Sequence, residues 1–279
     1  DVVDLPNTDQ ADFLRQHGAG IRGVALRQAR LDADMIAALP DLQVIATYSA
    51  GLDNIDVAAA KARGIVIANA SRVLAAEVAN TAVMLLLAVT RQLITADQFV
   101  RAGDWPGGEF PLNRSIVGMK VGIVGLGAIG LATATRLQAL GAQVAYAGPN
   151  RKPVDLPYHD NPRDLAEASD ALVIACPLTD ATRHSIDASV LDALGPEGWL
   201  VNIGRGPVVD EAALIAALAG NRIAGAGLDV FEHEPDVPEA LRRDPRVVLA
   251  PHYASGTHET RQAMADNIVA SLAEHFGLR

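Results

Sequence analysis

Short apolar runs at regular intervals mark the first quarter of the chain. Residues 2–5, 23–26, 44–46 and 65–68 each read as a strand, with helical or turn-rich sequence after each. The strand at 44–46 leads into a glycine-bearing loop, Tyr48-Ser49-Ala50-Gly51-Leu52-Asp53-Asn54-Ile55-Asp56. From Glu77 to Ala102 no Pro or Gly intervenes until Gly103, which predicts one long helix. Its middle, residues 82–89, is apolar all round and should be buried on several sides. A loop with Gly103, Trp105, Pro106, Gly107, Gly108 and Pro111 breaks the pattern.

The alternation resumes after residue 120. Strands are expected at 120–124, 143–147, 171–175, 199–202, 223–228 and 247–250, with helices such as 128–140 and 211–219 between them. A last helix, 260–276, should pack back on the first unit. Strand–helix alternation of this kind predicts parallel sheets with crossover connections. The reading is α/β: two doubly wound parallel-sheet domains with a cleft between them, the first made discontinuous by the last helix.

Composition narrows the classes. At 279 residues the chain is long enough for two domains, and half of it is hydrophobic with 20% charged, as in a well-buried globular protein. A formal charge of -10 argues against nucleic-acid phosphates or an anionic membrane as partner. The most apolar run, 82–89, is too short to span a bilayer. The one cysteine, Cys176, forms no internal disulfide and suits a reducing cytoplasm. The strand-like opening at Asp1 suggests that the true N-terminus lies upstream.

Gly125-Leu126-Gly127-Ala128-Ile129-Gly130 follows an expected strand and opens an alanine-rich helix. In that setting Gly125 permits a tight turn, Gly127 lets backbone approach a pyrophosphate, and Gly130 lets helix and strand pack closely. The helix N-terminus, at Ala128, Ile129 and Gly130, faces the phosphates. The next strand should end in Asp or Glu if the adenosine ribose keeps a free 2′-hydroxyl. It runs instead into Gly148-Pro149-Asn150-Arg151-Lys152, with no acid and two cations. That favours NADP, with NAD as the alternative, and makes Asn150, Arg151 and Lys152 the 2′-phosphate contacts. A solvated loop would also carry two such cations. Pro177 and Thr182, after the strand that ends near Cys176, line the cofactor path, whereas Cys176 reads as a small buried apolar residue.

Three polar segments fall just after apolar strands, where open α/β sheets bind ligands. Asn202-Ile203-Gly204-Arg205-Gly206 supplies a cation, Asp229-Val230-Phe231-Glu232-His233-Glu234-Pro235 carboxylates, and Ala250-Pro251-His252 an imidazole. Reduction of a 2-oxo acid needs a cation to hold the carboxylate and polarise the ketone, and an acid to protonate the developing alkoxide. It also needs a carboxylate that keeps the histidine protonated. Each residue alone has a structural reading; their joint placement at strand ends points to chemistry.

These segments resemble the D-isomer-specific 2-hydroxyacid dehydrogenase family over nearly the whole chain. The carrying motifs are Asn-x-x-Arg-Gly-x-x-Val-Asp-Glu at 202–211, Leu-Asp-Val-Phe-x-x-Glu-Pro at 228–235, and Pro251-His252. The resemblance implies a substrate-binding domain of residues 1–74 plus 255–279, flavodoxin-like, around a Rossmann domain of 75–254. It implies that Arg205, Glu234 and His252 are catalytic, with His252 the general acid and Glu234 its partner. Arg205 and His252 also bind substrate, together with the backbone amides of Ser49, Ala50 and Gly51. Asp229 would contact the nicotinamide carboxamide. No metal is implied.

Within the family, Gly108-Glu109-Phe110-Pro111-Leu112 and the acid-free second strand look like the glyoxylate/hydroxypyruvate reductases. Those tend to carry an arginine where this chain has Pro149, so Arg151 must act from two residues further on. Glu234 argues against the formate dehydrogenase branch, which uses glutamine. Two other readings stay open: a 2-ketogluconate-type reductase, and a non-catalytic NAD(H)-sensing protein of the same fold. The expected partners are a small 2-oxo acid and a second copy of the chain, since the long apolar helix suits a homodimer through the cofactor domain.

Overall fold

The computed structural model describes Asp4, residues 10–27 and residues 29–278. It divides into two compact units, residues 1–74 with 257–279, and residues 75–256.

The first unit runs α1 (Gln10–His17), β1 (Gly23–Leu26), α2 (Ala33–Ala37), β2 (Val44–Thr47), α3 (Val57–Ala62) and β3 (Val66–Ala68). Among the described residues its sheet has three parallel strands in the order β1-β2-β3, with Gly23 opposite Val44 and Val44 opposite Val66. The strand expected at 2–5 falls outside the described residues apart from Asp4, which belongs to no element. The two short helices are started by side-chain caps: Asp32 accepts from the Met35 amide and Asp56 from the Ala59 amide. Leu26, Leu31, Ile36, Leu39, Ile45, Ile55 and Ile65 fill the core. The C-terminal helix, His258–Phe276, capped by Thr257, closes on this sheet. A Cβ on Gly23 would come within 3.1 Å of Leu272 and 3.0 Å of the Phe276 ring, so this glycine lets strand and helix touch.

The second unit begins within a helix. α4 spans Ser71–Thr90 and α5 spans Leu93–Ala102, so the single helix expected from Glu77 to Ala102 is two. Gln92 between them sits in the left-handed region at φ 48°, with no glycine to announce it. Thr90 turns its hydroxyl back onto the Leu86 carbonyl at 2.7 Å, a local bond that competes with helix continuation. The helix also starts earlier than its apolar stripe suggests. By length and composition α4 could cross a membrane, which corrects the inference drawn from run length alone. Most of it is buried, with Val78, Ala79, Ala82, Leu85, Leu86 and Val89 each 5% exposed or less. It lies on a strand of small residues: Cβ atoms on Gly225 and Gly227 would stand 3.0 Å from Val89 and Leu85.

The rest of the unit is β4 (Lys120–Val124), α6 (Ala128–Ala139), β5 (Gln143–Ala147), β6 (Tyr158–His159), α7 (Pro162–Glu167), β7 (Ala171–Ile174), α8 (Ala188–Leu194), β8 (Trp199–Asn202), α9 (Glu211–Ala219), β9 (Gly225–Leu228), α10 (Glu239–Arg243) and β10 (Val247–Leu249). Among the described residues its seven strands lie in the order β10-β9-β8-β7-β4-β5-β6, all pairs parallel. Strand order reverses between β4 and β7. Loops at the carboxyl ends of strands diverge at such a point and leave a crevice for ligand. The central strands are buried on both faces, which is why they read as unbroken apolar runs.

Candidate active site

The three fingerprint glycines differ in what surrounds them. Gly125 sits at φ +96°, and a Cβ there would be 2.7 Å from the Cys176 backbone. A Cβ on Gly130 would be 2.1 Å from the Gly125 carbonyl oxygen, so only glycine lets α6 close on the turn. A Cβ on Gly127 would meet nothing within 4 Å. Its space is open, as a pyrophosphate approaching the backbone requires, and α6 starts directly after it at Ala128. The residues present fit a dinucleotide.

Asn150, Arg151 and Lys152 are exposed in the loop after β5. Thr182 donates to the Pro177 carbonyl at 2.7 Å and accepts from the Thr179 amide at 2.8 Å, which shapes the loop after β7. Cys176 is 7% exposed, and burial pushes its thiol up to about 11, so it is no nucleophile at neutral pH.

Arg205 follows β8 in extended backbone. Buried Asn202 shapes its turn: the side-chain oxygen accepts from the Gly204 amide at 3.0 Å and the nitrogen donates to the Arg205 carbonyl at 3.0 Å. A Cβ on Gly206 would be 1.8 Å from the Phe231 carbonyl oxygen, so the arginine loop lies directly on the loop after β9. In that loop Glu234 Oε1 accepts from the Phe231 amide at 3.0 Å, and Oε2 meets His252 Nδ1 at 2.7 Å. Burial works to raise the Glu234 pKa. The bonds to His252 and Phe231, with the charges of His252 and Arg205, outweigh it and hold the carboxyl below its ordinary value. Thus His252 and Arg205 both act on the Glu234 carboxylate.

His252 has φ +49°, unusual for a residue with a Cβ and worth about 1–3 kcal/mol of strain. The turn is held from below. Asp229, 1% exposed, accepts the His252 amide on its backbone oxygen at 2.8 Å. Its carboxylate accepts the Tyr253 and Ala254 amides at 2.9 and 3.1 Å. Burial raises the Asp229 pKa, and those amides and the His252 charge only partly offset it. Both carboxylate oxygens therefore brace the histidine turn, a use the sequence reading missed.

In the first unit, Ser49 Oγ donates to the Gly51 carbonyl at 2.6 Å and Asn69 Nδ2 to the Ala50 carbonyl at 3.1 Å, which fixes the loop. Among the described residues the amides of Ala50 and Gly51 have no hydrogen-bond acceptor.

Sequence reasoning also missed a second histidine–carboxylate pair, His184 Nε2 to Glu232 Oε1 at 2.8 Å. The Glu232 amide donates to Glu211 Oε2 at 3.3 Å. Glu211 is itself buried; that burial raises its pKa. Nothing in the spacing of residues 184, 211 and 232 signals that they meet.

Residues 83–254 match the family model for the D-isomer specific 2-hydroxyacid dehydrogenase NAD binding domain. The chain is 47% identical to a glyoxylate/hydroxypyruvate reductase A of Arabidopsis thaliana, over 96% of this chain and 86% of that one. It is 46% identical to a hydroxyphenylpyruvate reductase of Plectranthus scutellarioides, with 96% and 86% covered. A crystal structure of the NADPH-dependent glyoxylate/hydroxypyruvate reductase from Sinorhizobium meliloti, in complex with NADP and malonate, superposes with a TM-score of 0.84. That match has 47% identity over 91% of this chain and 81% of the other. The chain belongs to the D-isomer-specific 2-hydroxyacid dehydrogenase family.

Proposed function

We propose that the chain reduces small 2-oxo acids of the glyoxylate and hydroxypyruvate kind to D-2-hydroxy acids, with NADPH preferred over NADH. The observation that carries this reading is the 2.7 Å bond between Glu234 and His252, with the charge of Arg205 acting on the same carboxylate. When bound, the nicotinamide supplies the hydride that the carbonyl carbon accepts. Arg205 holds the substrate carboxylate and polarises the carbonyl oxygen. His252 is tied to Glu234 through Nδ1, so its Nε2 carries the proton that passes to the developing alkoxide. The ring ends neutral while Glu234 stays ionised and keeps the ring oriented. The Ala50 and Gly51 amides are donors suited to a carboxylate. The preference for NADPH rests on Arg151 and Lys152 and on the absence of an acid after β5.

Initial rates with glyoxylate, hydroxypyruvate, pyruvate and 2-ketogluconate, each with NADPH and NADH, test the reading. Turnover of glyoxylate or hydroxypyruvate with higher kcat/KM for NADPH is expected. No turnover of any of them would leave an NAD(H)-sensing role instead, and 2-ketogluconate as the best substrate would move the assignment within the reaction class.

The working form in this reading is a homodimer in a reducing compartment such as the cytoplasm. An open apolar groove of about 960 Å³ lies along α4, α5 and the end of α6. Met84 and Leu93 line it while 43% and 56% exposed. Asn113 also lines it, with a buried side-chain oxygen that no described residue satisfies. A second copy would cover this face symmetrically. A mass of about 58 kDa by light scattering, twice the 29.2 kDa chain, is the expected result; a monomer at micromolar concentration would overturn it.

A further inference from the structure

The loop after β5 carries the two cations on which cofactor choice rests, yet both are exposed. A flexible arginine and lysine on a free loop discriminate poorly, because ordering them on a ligand costs rotamer and backbone entropy. This loop is not free. Tyr146, at the buried end of β5 and 1% exposed, accepts the Lys152 amide on its hydroxyl at 2.6 Å. The same hydroxyl donates to the Lys152 carbonyl at 3.4 Å. Tyr158, paired with Tyr146 across the β5–β6 ladder, donates its hydroxyl to the Gly148 carbonyl at 2.9 Å. The two rings lie 5.3 Å apart. One tyrosine therefore holds the loop where it leaves the strand and the other holds it four residues later, with Pro149, Asn150 and Arg151 between. Among the described residues neither Arg151 nor Lys152 is paired with a carboxylate.

We propose that Tyr146 and Tyr158 are positioning residues for cofactor choice: their hydroxyls fix the backbone on both sides of Arg151 so that its guanidinium and the Lys152 ammonium are set for the ribose 2′-phosphate. This rests on the NADPH reading above. The role differs from that of Arg151, which would touch the phosphate, because the tyrosines act only through the loop.

Calorimetric titration with 2′,5′-ADP and 5′-AMP tests it without turnover. The wild type should bind 2′,5′-ADP at least tenfold more tightly than 5′-AMP. Arg151→Ala should abolish most of that ratio. Tyr158→Phe and Tyr146→Phe keep the ring stack and remove only the hydroxyls. Each should shrink the ratio by about three- to tenfold, the range of a lost neutral hydrogen bond, with 5′-AMP affinity unchanged. A ratio that stays at the wild-type value in both Phe variants overturns the proposal. A Phe variant that weakens both ligands equally does so too, since that is general loosening. If the wild type does not discriminate the two nucleotides, the NADPH reading falls and this inference with it. Thermal unfolding of Tyr158→Phe, whose ring is only partly buried, checks that the variant is folded.

Discussion

Two histidine–carboxylate pairs leave the same loop of this protein, Glu232 with His184 and Glu234 with His252. By the usual local criteria they are alike: the contacts are 2.8 and 2.7 Å, and the histidine side chains are 42% and 48% exposed. Both histidines even share a left-handed backbone, φ 51° and 49°. A short hydrogen bond and a strained backbone therefore do not tell the two pairs apart. What separates the pairs is their surroundings. The charge of Arg205 reaches Glu234, and buried Asp229 holds three successive backbone amides around His252. The ring nitrogens differ too, since His252 is held through Nδ1 and His184 through Nε2. Only the first leaves Nε2 to face outward.

The sharpest way to break the comparison is to remove each ring. His252→Ala should slow reduction by about 10²–10⁴-fold, the usual worth of a positioned general acid. Arg205→Ala should lower kcat/KM by about 10–10²-fold, as for a lost charge-assisted contact, with both KM and kcat affected because in the proposed mechanism it grips ground state and alkoxide alike. Steady-state kinetics on glyoxylate or hydroxypyruvate would show either change.

Glu234→Gln should act on the placement of the ring. The carboxylate holds His252 through the 2.7 Å bond to Nδ1. Without its charge kcat for reduction should fall by about tenfold, the worth of one charge-assisted hydrogen bond, with little change in NADPH affinity. An unchanged kcat would detach Glu234 from the proton. Stability should change with pH as well. A depressed carboxyl contributes stability above its ordinary value of 4.5 and loses it as pH falls through the lower folded value, so the variant's melting temperature should fall less steeply in acid. Smallest of all, His184→Ala should cost under about 1 kcal/mol of stability, as exposed pairs do, and leave kcat within about twofold. A loss approaching that of His252→Ala would erase the distinction drawn between the pairs.

Much of this was legible because the strands carry short apolar runs, and β2, β7 and β9 are buried on both faces. β1, β4, β5 and β8 and the helix α9 fall at the residues that apolar runs alone indicate. Ile223 and Ala224 share the apolar character of β9 but not its ladder, so that strand starts at Gly225. Tyr158–His159 escaped because two residues after a proline-rich loop carry no periodicity. The break at Gln92 escaped because no glycine or proline marks it. In the site, spacing indicated the polar segments that follow β8, β9 and β10, and the family motifs singled out Arg205, Glu234 and His252 within them. It could not indicate what depends on three-dimensional closure: the Asn202 turn, the second pair at His184, the commitment of both Asp229 oxygens, or the tyrosine hydroxyls behind Arg151.

Cys176 has a practical consequence. The chain's one thiol is walled in by the turns at Gly125 and Gly204, whose Cβ atoms would come within 2.7 and 2.8 Å of it. With ionisation deferred to about 11, it is silent to maleimides and similar reagents near neutral pH. A cysteine placed on an exposed position such as Gln92 would then be the sole reactive thiol, without any native residue having to be removed. The 279-residue chain is already a single-site labelling background, ready for a fluorophore or spin label that reports on the kink between α4 and α5.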